Sequence, residues 1–289
     1  LSRNTVAGVY SAFSAQAAYR KRRRNCHAKH KLSNPDIFRY VRDKFLEHQW
    51  SPEQIAGRLK MENSNIFISY STIYRGIYAG VFDTDEQSRS HGNRGAIRKL
   101  RHRGKTRHTK NHIEKRGKIV ISNDIKDRPV EAEKRNRLGD WEGDTVVGKK
   151  NGSCLVTLTD RRSRFLLSQK SEKKTANCVR DAMIKCLKGQ PLHTIIPDGG
   201  KEFAKHAEVT EALNGVQFYF PRPHQPWKRG TNENTNGLLR EYFPKGKDIS
   251  IQSDEYIQSK VDELNKRPRK CLNFLTPYEV YFSVSLHLT

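Results

Sequence analysis

The chain has 289 residues, with 55 Lys and Arg against 31 Asp and Glu and a formal net charge of +24. A charge of that size directs a protein towards polyanions and says little about its fold. A hydrophobic content of 35% is too high for a wholly disordered chain. No apolar run is long enough to span a bilayer, so a transmembrane protein is excluded. The length allows one large or two modest domains. The five cysteines, Cys26, Cys154, Cys178, Cys186 and Cys271, contain no CxxC pair. Neither a disulfide framework nor a cysteine zinc site is indicated, which fits a reducing cytoplasm.

Residues 1–33 form a polar, basic N-terminal stretch with the run Lys21, Arg22, Arg23, Arg24. Residues 34–82 read as three short helices. Asn34 and Pro35 open the first, over 34–48, with Ile37, Val41 and Phe45 on one face. Ser51 opens the second, with Gln54 at capping-box spacing and Trp50 and Ile55 at hydrophobic-staple positions. The third begins near Ser71 and stops at Gly80, with Ile73 and Ile77 inward and Ser71, Thr72 and Arg75 outward. A basic, hydroxyl-rich third helix suggests a helix-turn-helix; an ordinary three-helix bundle is the alternative.

Residues 83–136 read as a basic linker. Within them, residues 87–118 hold 12 Lys and Arg against the single acid Glu114 and show no apolar period. That stretch is expected to stay mobile until it meets phosphates. The texture changes in residues 137–289. Strand-like runs at Asp140–Gly148, Ser153–Asp160 and Arg164–Gln169 precede a helix over 175–188. A strand His193–Pro197, a helix Phe203–Leu213, a strand Val216–Phe220 and helices over 231–242 and 253–266 follow. The order is that of an α/β layered domain with a mixed sheet.

Three acids occupy telling places. Asp144 lies within a strand among Trp and Val residues, where an unpartnered carboxylate is expensive to bury. Asp198 ends a strand before two glycines, and Glu233 lies in the first turn of a helix. Acids so placed, in a chain that seeks polyanions, could hold a magnesium pair, because Mg²⁺ prefers oxygen ligands. Two of them also have a plain reading: a turn residue for Asp198, an acid favoured by the helix dipole for Glu233. Asp160 and Glu142 are nearby decoys.

At these residues the chain resembles a family. Gly139–Gly148 (GDWEGDTVVG), Asp198–Phe203 (DGGKEF) and Trp227–Arg240 (WKRGTNENTNGLLR) resemble the catalytic core of bacterial DDE transposases of insertion-sequence family 30. More broadly they are similar to retroviral-type integrase cores. Asn265–Lys270 and Thr276–Val280 also fit, as do Ser51–Ala56 and Ser71–Arg75 for the family's helix-turn-helix. The resemblance covers nearly the whole chain and implies an RNase H-like fold. It implies that Asp144, Asp198 and Glu233 hold two Mg²⁺ or Mn²⁺ ions, and that Asp160 does not. The implied reaction frees a 3′-OH at the end of a mobile element and joins it to target DNA. The implied partners are double-stranded DNA, as terminal inverted repeats and target, and further copies of the chain; the implied place is the bacterial cytoplasm, at the nucleoid. Arg240 shares the helix face of Glu233 and is expected on a DNA phosphate, with Lys201 and Arg229 in the same role.

Two residues depart from the family pattern, Pro197 and Gly199, the latter in place of the usual Asn. Asp198 and Glu233 are separated by 34 residues, one more than is common. The chain starts at Leu1, which the resemblance sets after the family's first helix-turn-helix. These departures leave open a second reading, a DNA-binding relic that represses without cutting.

Overall fold

The computed structural model describes residues 5–6, 9–26, 30–84, 95–100, 121–149, 152–221 and 229–288. Two short antiparallel strands, β1 (Thr5–Val6) and β2 (Val9–Tyr10), precede the basic helix α1 (Ala12–Asn25). The three expected helices follow. In α2 (Pro35–Arg42) the Asn34 side chain accepts from Asp36 and Ile37 N–H. The helix does not run regularly to residue 48: it widens into a π-helical turn over Asp43–Glu47. Helix α3 (Pro52–Met61) carries the full Ser51–Gln54 capping box. Helix α4 (Tyr70–Ala79) is capped by Ser69 rather than starting at Ser71, and it ends at Gly80 with φ 81°. Val41, Phe45, Ile55, Leu59, Ile73, Ile77 and Phe82 form one buried core. Ala96 completes it: this residue is fully buried and its N–H donates to Asp83. Part of the expected mobile stretch therefore packs on the helical domain. The remainder, 87–94 and 101–118, lies outside the described residues.

The second domain is built on a six-stranded sheet in the order β3-β8-β7-β4-β5-β6. Strands β4 (Asp140–Val147), β5 (Cys154–Asp160) and β6 (Leu166–Ser171) form an antiparallel meander. Strands β7 (Thr194–Ile196), β8 (Gln217–Phe220) and β3 (Asn123–Asp124) extend it with parallel pairs. This is the RNase H-like arrangement. Strand β3 comes from the stretch expected to be linker. Ser122 and Asn123 donate to the Phe218 carbonyl, and α5 (Val130–Lys134) follows with Ala132 buried. Residues 121–136 are thus part of the sheet domain. Strand β6 starts later than expected because Asp160 gathers a turn, accepting from Arg162 N–H, Ser163 N–H and Ser163 Oγ.

Alternation along the strands fills both faces of the sheet. Trp141, Val156, Leu158 and Ile195 pack towards α6 (Ala176–Leu187) and α7 (His206–Ala212). Val146, Leu155 and Leu166 pack towards α8 (Gly230–Tyr242) and α9 (Asp254–Asn265). The last helix, α10 (Pro277–Phe282), fastens the helical domain to this body. The fully buried Arg58 guanidinium reaches Glu279 at 2.6 and 2.8 Å and the Leu286 carbonyl at 2.6 Å. Gln54 donates to Pro268 O at 2.6 Å. Gly57 is needed beneath this joint, because a Cβ there would stand 2.3 Å from the Phe274 ring.

Candidate active site

Strand alternation puts Asp140, Glu142, Asp144 and Val146 on the α8 side of β4. The parallel register pairs Asp140 with Thr194, Trp141 with Ile195 and Glu142 with Ile196. Continued by two residues, it sets Asp144 level with Asp198. The β7 ladder stops one residue earlier, at Pro197, which has no N–H to donate. Asp198 is therefore freed from the sheet while staying beside Asp144. It is 7% exposed, and its Oδ1 accepts the Gly200 N–H at 2.9 Å.

Charge is crowded at this point. Burial pushes the Asp144 carboxyl above its ordinary range, and the Arg229 guanidinium and the Thr145 N–H only partly offset it. Burial, followed by the carboxylates of Asp144 and Glu202, pushes Asp198 up to about 6. Arg229 stands 3.7 Å from Asp144 Oδ2, and Asn236 donates to the same oxygen at 3.2 Å. Glu202 is buried beside them. It pairs with Lys174 at 2.6 Å and accepts from the Thr145 hydroxyl at 3.2 Å. Gly200 makes room for it, since a Cβ there would come within 2.4 Å of the Glu202 carboxylate. Crowded, oxygen-only acids, with Asp144 and Asp198 both raised, suit a hard divalent cation, which would relieve the shared negative charge.

Glu233 is placed differently. It is exposed on the first turn of α8. Asn236, one turn further on the same helical face, touches Asp144, so that face looks towards the Asp pair. Among the described residues, no group of three His, Cys, Asp or Glu side chains is gathered closely enough to hold a metal ion. The structure thus brings Asp144 and Asp198 together and leaves Glu233 outside a closed ligand set. Asp160 is fully occupied in its turn and also accepts the Gly139 N–H at 2.9 Å.

The expected DNA contacts fall into two groups. Arg75 and Lys201 are exposed. Ser71 and Thr72 are half-buried, and their hydroxyls lie 3.0 and 2.8 Å from the capping Ser69 hydroxyl. Arg229 faces Asp144, as above. Arg240 bonds the Val147 carbonyl at 2.6 Å and so ties α8 to the end of β4. A cavity of about 590 Å³ separates the two domains on the other side of α8, lined by Tyr74, Tyr78, Arg164, Thr231 and Lys270 among others. It contains none of the three acids. Sequence reasoning missed Lys174 and Glu202. An acid four residues after Asp198 in the DGGKEF block was the available signal; Lys174 had none.

An RNase H-like sheet with Asp144 and Asp198 abreast, joined to a small helical domain, is the arrangement that the sequence resemblance to insertion-sequence transposases leads one to expect. Comparison with known proteins agrees. No family model matches the chain. It is 38% identical over 98% of its length to the transposase for insertion sequence element IS1086 of Cupriavidus metallidurans, covering 84% of that protein. It is 37% identical over 95% of its length to the transposase for IS4351 of Bacteroides fragilis, covering 81% of that protein. The transposase InsI for IS30A of Escherichia coli (strain K12) is 39% identical over 81% of the chain, which covers 62% of that protein. The chain belongs to the IS30 family of insertion-sequence transposases. Among solved structures, the catalytic core domain of BIV integrase aligns with a TM-score of 0.39 at 19% identity, covering 50% of this chain and 93% of that one. A simian T-cell lymphotropic virus intasome in complex with PP2A regulatory subunit B56 gamma aligns with a TM-score of 0.41 at 19% identity, covering 63% and 62%.

Proposed function

We propose that this transposase cuts the ends of its own insertion sequence and joins the freed 3′-OH to target DNA, using Asp144, Asp198 and Glu233 to hold two Mg²⁺ or Mn²⁺ ions. The observation that carries the reading is the half-buried Asp144 level with the buried Asp198 just past the neighbouring strand, each raised in pKa. Divalent ions held by these acids would supply polarisation of the phosphate oxygen and activation of the attacking water or hydroxyl. The chain's own residues do the rest. Asp144 is fixed on β4, Asp198 is held just past the end of β7 by the Gly200 N–H, and Glu233 is presented by α8. Asn236 orients the Asp144 carboxylate. Lys174 and Arg229 offset the negative charge of the acids.

The helical domain 34–82 takes duplex DNA at the terminal inverted repeats, with Arg75 at the exposed edge of α4 and Ser71 and Thr72 completing that turn. Lys201, Arg229 and Arg240 serve phosphates nearer the cut, and the basic stretch 87–118 follows the backbone. Pairing of two element ends calls for a homo-oligomer, acting in the bacterial cytoplasm on nucleoid DNA. The test is a joining assay: labelled duplex ends of the element, supercoiled target and Mg²⁺ or Mn²⁺. Joined products that disappear with Glu233→Gln support the proposal. Tight binding without cutting in any metal would replace it with a binding-only role.

A further inference from the structure

We propose that Glu142 is a positioning residue: from β4 it caps the first turn of α8 and so fixes where Glu233 stands. The inference rests on the reading of Glu233 as a metal-holding acid. A helix start leaves N–H groups without partners, and a side-chain acceptor at the N-cap usually takes one. Helix α8 has Arg229 in that place and no side-chain cap of its own. Arginine has no acceptor to offer.

Glu142 supplies what Arg229 lacks. Its side chain is fully buried, and Oε2 accepts the Asn232 N–H at 2.9 Å from a strand 90 residues earlier in the chain. A carboxylate at a helix start is also favoured by the helix dipole. The other oxygen, Oε1, is held by the Arg161 guanidinium, whose Nε donates to the Ala132 carbonyl at 3.0 Å. Two further ties converge on the same turn. Thr159, the cross-strand partner of Glu142, donates to Asn232 Oδ1 at 3.1 Å. Arg164 donates to the Thr231 hydroxyl. Three anchors therefore meet residues 231 and 232, immediately before Glu233. An ion pair that served only to neutralise Arg161 would not require the second oxygen to face the helix N–H.

The test separates capping from charge pairing. Replacing Glu142 alone strands a buried guanidinium, so both partners are changed together. E142Q/R161M keeps an acceptor oxygen for Asn232 N–H and removes the charges. E142M/R161M removes the charges and the acceptor. We expect both to fold and to bind element-end duplex alike. The first keeps wild-type amide exchange over Thr231–Asn234 and the wild-type Mg²⁺ requirement. The second shows roughly tenfold faster exchange at Asn232, and half-maximal cutting needs roughly tenfold more Mg²⁺, the order of one lost cap. Thr159→Val, which loosens Asn232 without touching a charge, moves both readings in the same direction and serves if the Met pair does not fold. Equal amide exchange and equal Mg²⁺ requirement in the two double variants, or no change in either for Thr159→Val, would overturn the proposal. Amide exchange needs no catalysis, so a wild-type chain that cuts nothing refutes the reading of the acids and leaves the cap to be judged by exchange alone.

Discussion

Asp198→Asn should make the metal-free protein more stable at neutral pH while abolishing its chemistry. The Asp198 carboxyl is 7% exposed, and its pKa is raised from 3.8 to about 6 by burial and by the neighbouring acids Asp144 and Glu202. A shift of about two units corresponds to about 3 kcal/mol. The folded state holds this proton more tightly than the unfolded chain does. The stabilising effect of that proton is complete below about pH 3.8 and is lost as the pH rises through about 6. Asparagine has the same shape, keeps an oxygen for the Gly200 N–H and carries no charge. Urea unfolding in chelator at pH 7.5 should show the variant more stable than wild type by up to about 3 kcal/mol. The difference should shrink as the pH is lowered towards 4. Added Mg²⁺ should then raise the wild-type midpoint, because binding to the native state alone stabilises it, and should do little for the variant. A variant no more stable than wild type at pH 7.5, or a difference independent of pH, would refute the reasoning.

Further outcomes follow from the structure. Arg58→Met should destabilise by about 3–5 kcal/mol, because Glu279 is left buried without its partner. Burial works to raise Glu279, but hydrogen bonds from Arg58, Leu286 N–H and Thr276 hold it at about 2, against 4.5 when unpaired. That contribution is present above pH 4.5 and is lost as the pH falls through about 2, so an acid titration of unfolding should be flatter in Glu279→Gln. Gly199→Asn should fold and cut normally, since a Cβ there meets nothing within 4 Å, whereas Gly200→Ala should displace Glu202 and weaken metal-dependent cutting. Arg75→Ala should reduce end binding and lower the slope of log affinity against log salt by about one, measured by fluorescence anisotropy.

Much of this molecule is legible in its sequence because local chemistry decides it. The Ser51–Gln54 capping box, the Gly80 stop and the alternation around Asp144 all act within a few residues, and each is found where expected. Element order in the sheet domain follows from the same local signals. What escaped is non-local. Two-residue β3 has no period to read and exists only because β8 offers it an edge. The Arg58–Glu279 joint spans 221 positions, and Glu142 meets Asn232 across 90. Glu142 reads as a spare acid until the helix that it caps is in place. Helix α4 starts at Tyr70, one residue before Ser71, because the Ser69 hydroxyl accepts the Thr72 N–H.

The central claim is that Asp144, Asp198 and Glu233 act together on DNA ends. The most direct test is cutting of end-labelled duplex carrying the element's terminal repeats, with Mg²⁺ or Mn²⁺, by wild type and by Asp144→Asn, Asp198→Asn and Glu233→Gln. Metal-dependent 3′-OH ends are expected from wild type alone, with end binding retained by all four proteins. Cutting that survives in any of the three variants would contradict that claim.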